Sequence, residues 1–456
     1  MTLQAFNVGP VTLRSMPFWC VGNPLGDPFG GKVLPGISSV EVAKMLAWAA
    51  GENLIEATSF HDDDLVPFDP AHPEDDLDQK SQTYKTLAEI KKILSAAGLQ
   101  VNTATCSLHG MTVFRNGGLT NPDPKIRELA RKKVERTLRI GAMFGAKHYT
   151  YWVARDGFEV PVAVDWKNTF TWLADGLDHV YDYIKAKKLT NYVGATIEPK
   201  PNEPRGQMYL PTSGHAVGFI CGKLKHPDFW GVNPELLQHE SMALLNAVHC
   251  VGYLCSLGKL KFLHFGSQIK AQFDNDFPPL VGPEGLKETV QMFWALSQVG
   301  WKGLVEFDCH MLRAEGDPDH AEESRKAFIR NCVNGLSMAI ELAARLDGKR
   351  PGNPGLEFFE ALQPAFKNPM MIIAPIQEES RGRDIGNMGF RGDSGEIDFF
   401  ARRFGGLNVR VVVQPYQPPF AGHLFRFQQS ALPVVIPHGS LRRQRVQGRD
   451  DKDSKQ

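Results

Sequence analysis

Short runs of β-branched and aromatic residues alternate with longer amphipathic runs between about residues 16 and 348. Apolar runs of about four to eight residues, bounded by turn-forming residues, are typical of strands buried in a parallel sheet. We predict eight strands, at Phe18–Gly22, Leu54–Thr58, Val101–Thr105, His148–Trp152, Val193–Glu198, Gly231–Asn233, Phe262–Gly266 and Leu304–Asp308.

The longer runs repeat apolar residues at helical spacing, and several carry end signals. Ser38, with Glu41 three residues later, predicts a capping box at the start of the first helix. Asp123 and Pro124 predict the N-cap and first turn of the third, and Gly98 ends the second. We predict helices at Val40–Ala50, Ser81–Ala97, from Pro124, at Trp166–Lys187, Ser241–Leu257, Gly285–Val299 and Ala321–Leu346.

Eight strands alternating with helices predict an α/β protein with a closed (β/α)8 barrel, or TIM barrel, over residues 1–348. Functional groups in such a barrel lie where the strands end. Polar side chains do cluster just past the predicted strand ends: His61 with Asp64, Trp152, Glu198 with Lys200, Glu235 with His239, His264, and Asp308.

The region after about Gly352 has poor periodicity and a Gln-Pro-Tyr-Gln-Pro-Pro run at 414–419. We predict that residues 349–456 form an extended arm that packs on a partner subunit or is partly disordered.

Composition argues against several classes of partner. The 51 basic and 51 acidic residues leave no net charge to attract nucleic acid or an anionic membrane. No stretch of about 18 apolar residues predicts a membrane span, and the amino terminus lacks the pattern of a signal peptide. The seven cysteines form no CxxC pair, which is typical of reduced thiols. We therefore expect a cytoplasmic protein that binds neither nucleic acid nor membrane.

The segment Ile197–Gly206, with the sequence IEPKPNEPRG, leaves a predicted buried strand. Its three prolines fix φ and remove three backbone donors, so it must be a stiff loop. Glu198, Lys200, Glu203 and Arg205 on this loop could serve a metal and oxyanion site. The alternative is a solvated charged turn.

Two further acidic segments are candidates for chemistry. His61, with Asp64 three residues later, has a carboxylate that can orient its ring for acid–base work, although a helix N-cap would explain the acidic residues alone. Asp274 and Asp276 could reach one divalent cation from a loop, unless they belong to a solvated turn. With Glu198, Glu235, His239 and Asp308, they predict an oxygen-rich site suited to Mg²⁺, Mn²⁺ or Co²⁺.

Three aromatic side chains, Trp19, Phe29 and Trp152, could line a sugar pocket, because the C–H faces of a sugar ring are apolar. Core packing is the alternative for each of them.

Several segments together resemble D-xylose isomerases, and the resemblance covers about residues 16–348. They are Ile197–Gly206, Phe60–Asp64 with Pro67 and Phe68, Gly26–Gly30, Gly231–Glu235 with His239 and Glu240, Leu210–Thr212, and Gly214–Ala216. The resemblance implies a two-metal aldose–ketose isomerase that converts D-xylose to D-xylulose by a metal-assisted hydride shift, with D-glucose as a slower substrate.

The resemblance also implies roles for individual residues. One cation would be held by Glu198, Glu235, Asp308 and position 264, and the second by Glu235, His239, Asp274 and Asp276. His61, oriented by Asp64, would assist ring opening, and Lys200 would bind the substrate carbonyl oxygen. Trp19, Phe29, Thr105 and Trp152 would contact the sugar, with Phe29 reaching in from a neighbouring subunit of a homotetramer or dimer.

Some positions depart from the family pattern. Position 264 is His in place of an Asp ligand, and three residues instead of two separate Glu235 from His239. His109 replaces Phe, His310 replaces Lys, and Val153-Ala154 replaces two glycines, while the tail is also unlike the family's. One alternative is therefore a catalytically impaired sugar-binding homologue. The other is a Zn²⁺-dependent DNA-repair endonuclease on a related barrel, which neither the net charge nor the motifs favour.

Overall fold

The structure is a computed structural model that describes residues 9–22, 34–272, 274–279, 282–312 and 316–346, together with the backbone of four later strands. It divides into two compact units, Met1–Leu356 and Glu357–Gln456. The described strands of the first unit are β1 (Val11–Ser15), β2 (Ala57–His61), β3 (Gln100–Thr105), β4 (His148–Trp152), β5 (Gly157–Phe158), β6 (Gly194–Glu198), β7 (Gln207–Met208), β8 (Trp230–Val232), β9 (Leu263–Phe265) and β10 (Gly303–Phe307).

Eight of these strands form one parallel sheet in the order β8-β6-β4-β3-β2-β1-β10-β9. Parallel bridges from Val232 to Leu260 and from Glu235 to His264 join the β8 end of the sheet to the β9 end. The sheet therefore curls into a ring, and the predicted (β/α)8 barrel is confirmed. Strands β5 and β7 pair separately as a small antiparallel ribbon.

Helices alternate with the barrel strands. They are α1 (Phe18–Gly22), α2 (Ser39–Gly51), α3 (Asp62–Leu65), α4 (Gln82–Ala96), α5 (Pro124–Phe144), α6 (Thr169–Ala186), α7 (Ser213–Lys223), α8 (His239–Met242), α9 (Ala247–Ser256), α10 (Gly282–Gln298) and α11 (Ala321–Arg345). The capping box of Ser38 and Glu41 is present, and Asp123 caps α5 as predicted. Within the described ranges, no helix is both long enough and apolar enough to cross a membrane.

The prediction of a strand at Phe18–Gly22 is wrong, because this segment is helix α1 and the first strand is Val11–Ser15. A short apolar run is equally compatible with a buried strand and with a buried helical turn, so its periodicity could not distinguish the two. The second strand lies at Ala57–His61, later than predicted, and places His61 at its last position.

The predicted helix Ser241–Leu257 is interrupted. Leu244 has a positive φ of 59°, and Asn246 caps the separate helix α9. Helix α7 was not predicted, because Gly214, Gly218 and Gly222 weaken its helical pattern.

The barrel interior contains polar side chains as well as apolar ones. The hydroxyl of Thr150 lies 2.7 Å from that of Thr103 and 2.8 Å from that of Thr196, which links β3, β4 and β6. On the other side of the ring, Ser15 and Ser59 bind the carboxylate of Glu306. These groups satisfy one another's hydrogen-bonding capacity where water is excluded.

A buried ion pair attaches α5 to the chain just past β2. Lys133 contacts Asp62, and neither side chain is exposed. The same ammonium lies 3.0 Å from Asp63, and Asp62 also accepts a 2.8 Å hydrogen bond from the Ser107 amide. The cluster fixes the backbone beside His61, the last residue of β2.

Replacing Lys133 with methionine should lower the free energy of unfolding by about 3 kcal/mol, because it leaves the Asp62 carboxylate buried without its closest cation. Urea titration measures the loss. Lys132→Met is the matched control, since Lys132 is the exposed neighbour on the same helix. Equal midpoints for the two variants would contradict this role.

The second unit is described only by strand backbones. Strands β11 (Gly389–Arg391), β12 (Ile397–Phe404), β13 (Leu407–Val413) and β14 (Arg426–Gln428) form an antiparallel sheet in chain order. The sequence predicted no strands here. The rest of the predicted arm at 349–456 lies outside the described residues, so its packing on a partner stays a prediction.

Candidate metal and sugar site

A cleft of about 230 Å³ is lined by side chains from the carboxyl ends of the barrel strands. Its size suits a small polar molecule better than a drug-sized one. The lining residues are Trp19, His61, Asp64, Thr105, His109, Trp152, Glu198, Lys200, Glu235, His239, Asp274, Asp276, Asp308 and His310. Of the residues to which the resemblance gives a role, all are in the lining except His264 and Phe29, which lies outside the described residues. Glu203 and Arg205 of the proline-rich loop are not in the lining.

The first group that could hold a cation consists of Glu198, His264 and Asp308, whose ligand atoms lie within 4.8 Å of one another. Nδ1 of His264 is 2.9 Å from Oδ2 of Asp308 and 3.4 Å from Oε2 of Glu198. Burial lowers the pKa of His264, but the two carboxylates outweigh it and the net shift is well upward. The imidazole therefore lies beside the two carboxylates with which the resemblance groups position 264.

The second group consists of Glu198, Glu235 and His239. Nε2 of His239 is 2.6 Å from Oε2 of Glu235, although three residues separate them. A turn closed by hydrogen bonds from the Gln238 and Glu240 amides to the Glu235 carbonyl accommodates the extra residue. The insertion therefore leaves the His239 ring directed at the site.

Two buried carboxylate oxygens at the site have no hydrogen-bond partner among the described residues. They are Oε1 of Glu235 and Oδ1 of Asp274. Burial, with the Asp308 charge nearby, raises the pKa of Glu235 well above its usual value. A bound cation would satisfy these unpartnered oxygens and favour the ionised form of Glu235, so the donor set fits a divalent metal.

Asp274 and Asp276 are not a solvated turn. Oδ2 of Asp274 is 2.5 Å from Nζ of Lys200 and 3.4 Å from Nε2 of His239. Asp276 accepts a 3.0 Å hydrogen bond from Gln238 and lies 3.3 Å from His310. Burial, with the neighbouring Asp274 charge, raises the pKa of Asp276 to about 6.

The proline-rich loop is held on several sides, which argues against a casual charged turn. A hydrogen bond holds the backbone of Lys200, because its amide donates to the Leu210 carbonyl at 3.3 Å. Arg205 forms an ion pair with Glu159, and Glu203 accepts a 2.9 Å hydrogen bond from the Asp274 amide. The buried Lys200 ammonium is thereby fixed inside the cleft.

His61 lies at the aromatic wall of the cleft. Its Nδ1 is 3.2 Å from Oδ2 of Asp64, which also accepts a hydrogen bond from the His61 amide and so caps α3. Burial lowers the His61 pKa, but the Asp64 carboxylate outweighs it and the net shift is upward. The Trp19 ring lies 4.6 Å from that of His61, and its Nε1 donates to Asp308 at 2.7 Å.

His109 and Trp152 complete this wall, with ring centroids 4.9 Å apart. Burial lowers the pKa of His109 to about 3, so its ring is neutral at physiological pH. Nζ of Lys200 lies 5.7 Å from the Trp152 ring centroid. A cation and a neutral imidazole therefore face the same small space between aromatic rings.

Sequence reasoning missed three buried polar residues around the metal groups. Asn233 donates to Glu198 at 3.1 Å, Gln238 donates to Asp276, and Glu306 contacts His264. Glu306 could have been found from the sequence, because it lies inside a predicted buried strand, where a carboxylate needs a hydrogen-bonding partner.

Known proteins resemble this chain in sequence and in fold. Residues 54–332 match the family described as Xylose isomerase-like TIM barrel. Xylose isomerase of Thermus thermophilus is 36% identical over 317 residues, which cover 69% of this chain and 76% of that protein. Xylose isomerase of Thermus caldophilus is 34% identical over 315 residues, with coverage of 69% and 76%.

A solved structure of L-ribulose 3-epimerase, at 14% identity, aligns over 74% of this chain and 99% of its own with a TM-score of 0.51. That likeness concerns the fold alone. The sequence match spans most of the barrel, including strands β2 to β10. The chain belongs to the xylose isomerase-like TIM barrel family.

Proposed function

We propose that this protein is a metal-dependent aldose–ketose isomerase that converts D-xylose to D-xylulose, with D-glucose as a slower substrate. The observation that carries the proposal is the pair of overlapping carboxylate–histidine groups beside a buried lysine, in a small cleft with an aromatic wall. The relatives named xylose isomerase, at 34% and 36% identity, support the same reaction.

The proposal assigns two divalent cations to these residues, as the resemblance implies. Glu198, Glu235, His264 and Asp308 would hold one, and Glu235, His239, Asp274 and Asp276 the other. When bound, such cations would supply positive charge that polarises the oxygens on C1 and C2, the two carbons between which the hydride shifts. Mg²⁺, Mn²⁺ and Co²⁺ all accept this mixture of oxygen and nitrogen ligands, and imidazole favours the latter two.

The chain's own residues would bind and orient the sugar. The Lys200 ammonium has three donors, of which one reaches Asp274, so others remain to bind the substrate carbonyl oxygen. His61, held by Asp64, would donate a proton to the ring oxygen or accept one from the O1 hydroxyl as the ring opens. Trp19, Thr105 and Trp152 would pack against the open chain and exclude water.

Assembly and location are part of the proposal. Family resemblance favours a homotetramer or dimer in the cytoplasm, in which Phe29 of a neighbouring subunit would reach the sugar. Phe29 lies outside the described residues. Size-exclusion chromatography with light scattering measures the number of subunits directly.

The reaction is tested with chelator-stripped protein and D-xylose, adding Mg²⁺, Mn²⁺ and Co²⁺ back separately. We expect xylulose only when metal is present. Folded protein that forms no xylulose with any of the three ions would contradict the proposal. Calorimetric titration with metal then measures how many cations the protein binds. Two tightly bound cations would favour the isomerase, whereas one or none would favour an impaired sugar-binding homologue.

His264 should set the metal preference. We expect Mn²⁺ or Co²⁺ to restore more activity than Mg²⁺, because a neutral imidazole replaces a negative ligand. His264→Asp should shift the preference toward Mg²⁺ by about tenfold or more, which is about 1.4 kcal/mol of differential binding. Activity measured across the three ions checks this, and an unchanged ranking in the variant would remove His264 from the ligands.

A further inference from the structure

The carboxylate of Glu306 lies behind His264, on the side of the ring away from the candidate metal group. Its Oε1 is 3.2 Å from Nε2 of His264. Nδ1 of the same ring faces Asp308 at 2.9 Å and Glu198 at 3.4 Å. The imidazole thus connects a buried carboxylate to the ligands of the proposed cation.

Glu306 is fully buried and is held by hydroxyl groups. Ser15 donates to its Oε2 at 2.5 Å, and Ser59 donates to the same oxygen. Nε2 of His264 is then the partner that the described residues offer to Oε1. Because a buried carboxylate oxygen needs a donor, Nε2 carries the hydrogen. Nδ1, although 2.9 Å from Oδ2 of Asp308, makes no hydrogen bond within the described residues.

Asn233 offers a competing arrangement, since its Nδ2 lies 3.5 Å from Nε2 of His264. An amide donor at that position would favour a bare Nε2. However, Nδ2 of Asn233 makes a shorter contact of 3.1 Å with Oε2 of Glu198. The contact between Nδ2 of Asn233 and Nε2 of His264 is also longer than the 3.2 Å contact between Nε2 and Oε1 of Glu306, so the charged carboxylate is the favoured partner of Nε2.

We propose that Glu306 is a positioning residue that fixes the tautomer of His264 with hydrogen on Nε2, and so presents the Nδ1 lone pair to a cation bound by Glu198 and Asp308. The inference rests on the proposed metal dependence of the site, but not on the identity of the sugar. A carboxylate in this position orients a histidine ligand and raises its basicity. Its negative charge, next to His264, also compensates for the charge that a histidine ligand lacks relative to an aspartate ligand.

His239 provides an internal comparison with the opposite tautomer. Its Nδ1 lies 3.0 Å from the Pro199 carbonyl oxygen, which can only accept, so Nδ1 carries the hydrogen. Nε2 is then the atom that faces Glu235. The two histidines would therefore bind metal through different nitrogens.

Calorimetric titration of metal-free protein with Co²⁺, without sugar, tests the proposal. Glu306→Gln should weaken one of the two sites about 10- to 100-fold and leave the other unchanged. In a His264→Asp background the same substitution should have a much smaller effect, because the residue it acts through is gone. Glu56→Gln is the control, since Glu56 is a buried carboxylate bound to Arg14 instead of a histidine.

Equal Co²⁺ affinity in wild type and Glu306→Gln would overturn the positioning role. Weakened affinity of the same size in Glu56→Gln would also overturn it, because the loss would then be a general cost of removing a buried charge. Since no sugar is present, these outcomes are distinct from failure of the proposed isomerase reaction.

A second measurement uses the wild-type protein and does not depend on the folding of a variant. In the ¹⁵N-labelled protein loaded with Zn²⁺, long-range ¹H–¹⁵N spectra report which ring nitrogen carries hydrogen. The signals of His264 are identified as those lost in His264→Asp. Hydrogen on Nε2, with Nδ1 bound to metal, is expected, whereas hydrogen on Nδ1 would overturn the proposal.

Discussion

Lys200→Met should lower kcat for xylulose formation by about 100- to 1,000-fold or more, while the protein stays folded. The reason is that a preorganised cation in a water-excluded cleft stabilises charge that develops on the substrate oxygen. Methionine keeps most of the length of the side chain but supplies no donor and no charge. Steady-state kinetics at saturating metal, with circular dichroism as the check on folding, measures the effect.

The control for this variant is Lys225→Met, because the Lys225 side chain is 69% exposed and its ion pair with Asp178 is long, at 3.6 Å. It should retain full activity. Lys200 also contacts Asp274, so Co²⁺ affinity of the Lys200→Met variant must be measured as well. Retained turnover in Lys200→Met would exclude the lysine from the reaction.

Glu235→Gln should abolish activity by removing a carboxylate that both proposed cations share. Oε1 of Glu235 has no hydrogen-bond partner among the described residues, and burial raises the pKa of this carboxyl group well above its usual value. An amide keeps the shape of the side chain but cannot neutralise a cation. We expect turnover to fall by several orders of magnitude, because a few kcal/mol of lost transition-state stabilisation has that effect.

Thermal unfolding gives an independent measure of the same change. A metal present at 100 times its dissociation constant stabilises the folded wild-type protein by about 2.7 kcal/mol per site. That metal-dependent rise in Tm should be lost in Glu235→Gln and retained in Glu128→Gln, whose side chain is 58% exposed. A full rise in Tm for Glu235→Gln would mean that Glu235 is not a shared ligand.

The fold could largely be predicted from local signals. The spacing of Ser38 and Glu41 marked the start of α2, and Asp123 with Pro124 marked that of α5. Strand β4 has the predicted bounds, because its aromatic and β-branched residues contrast with the helices on either side. The error at Phe18–Gly22 arose where an apolar segment is too short for its period to be read.

Most residues that line the cleft were named from the sequence, but their contacts were not. Strand-end placement brought His61, Glu198 and Asp308 together, as the barrel rule requires. In contrast, the pairing of Lys200 with Asp274 joins residues 74 positions apart, and that of His264 with Glu306 joins residues 42 apart. Such contacts depend on side-chain directions inside the closed ring, which a single sequence does not specify.

The most direct test of the proposed function follows D-xylose labelled with deuterium at C2, incubated with the Co²⁺-loaded protein in ordinary water. Proton and deuterium NMR of the sugar identify the product and the position of the label. An aldose–ketose isomerase that works by hydride shift yields D-xylulose with the deuterium retained at C1. Loss of the deuterium to water would contradict the hydride shift, and the absence of xylulose would contradict the proposed reaction itself.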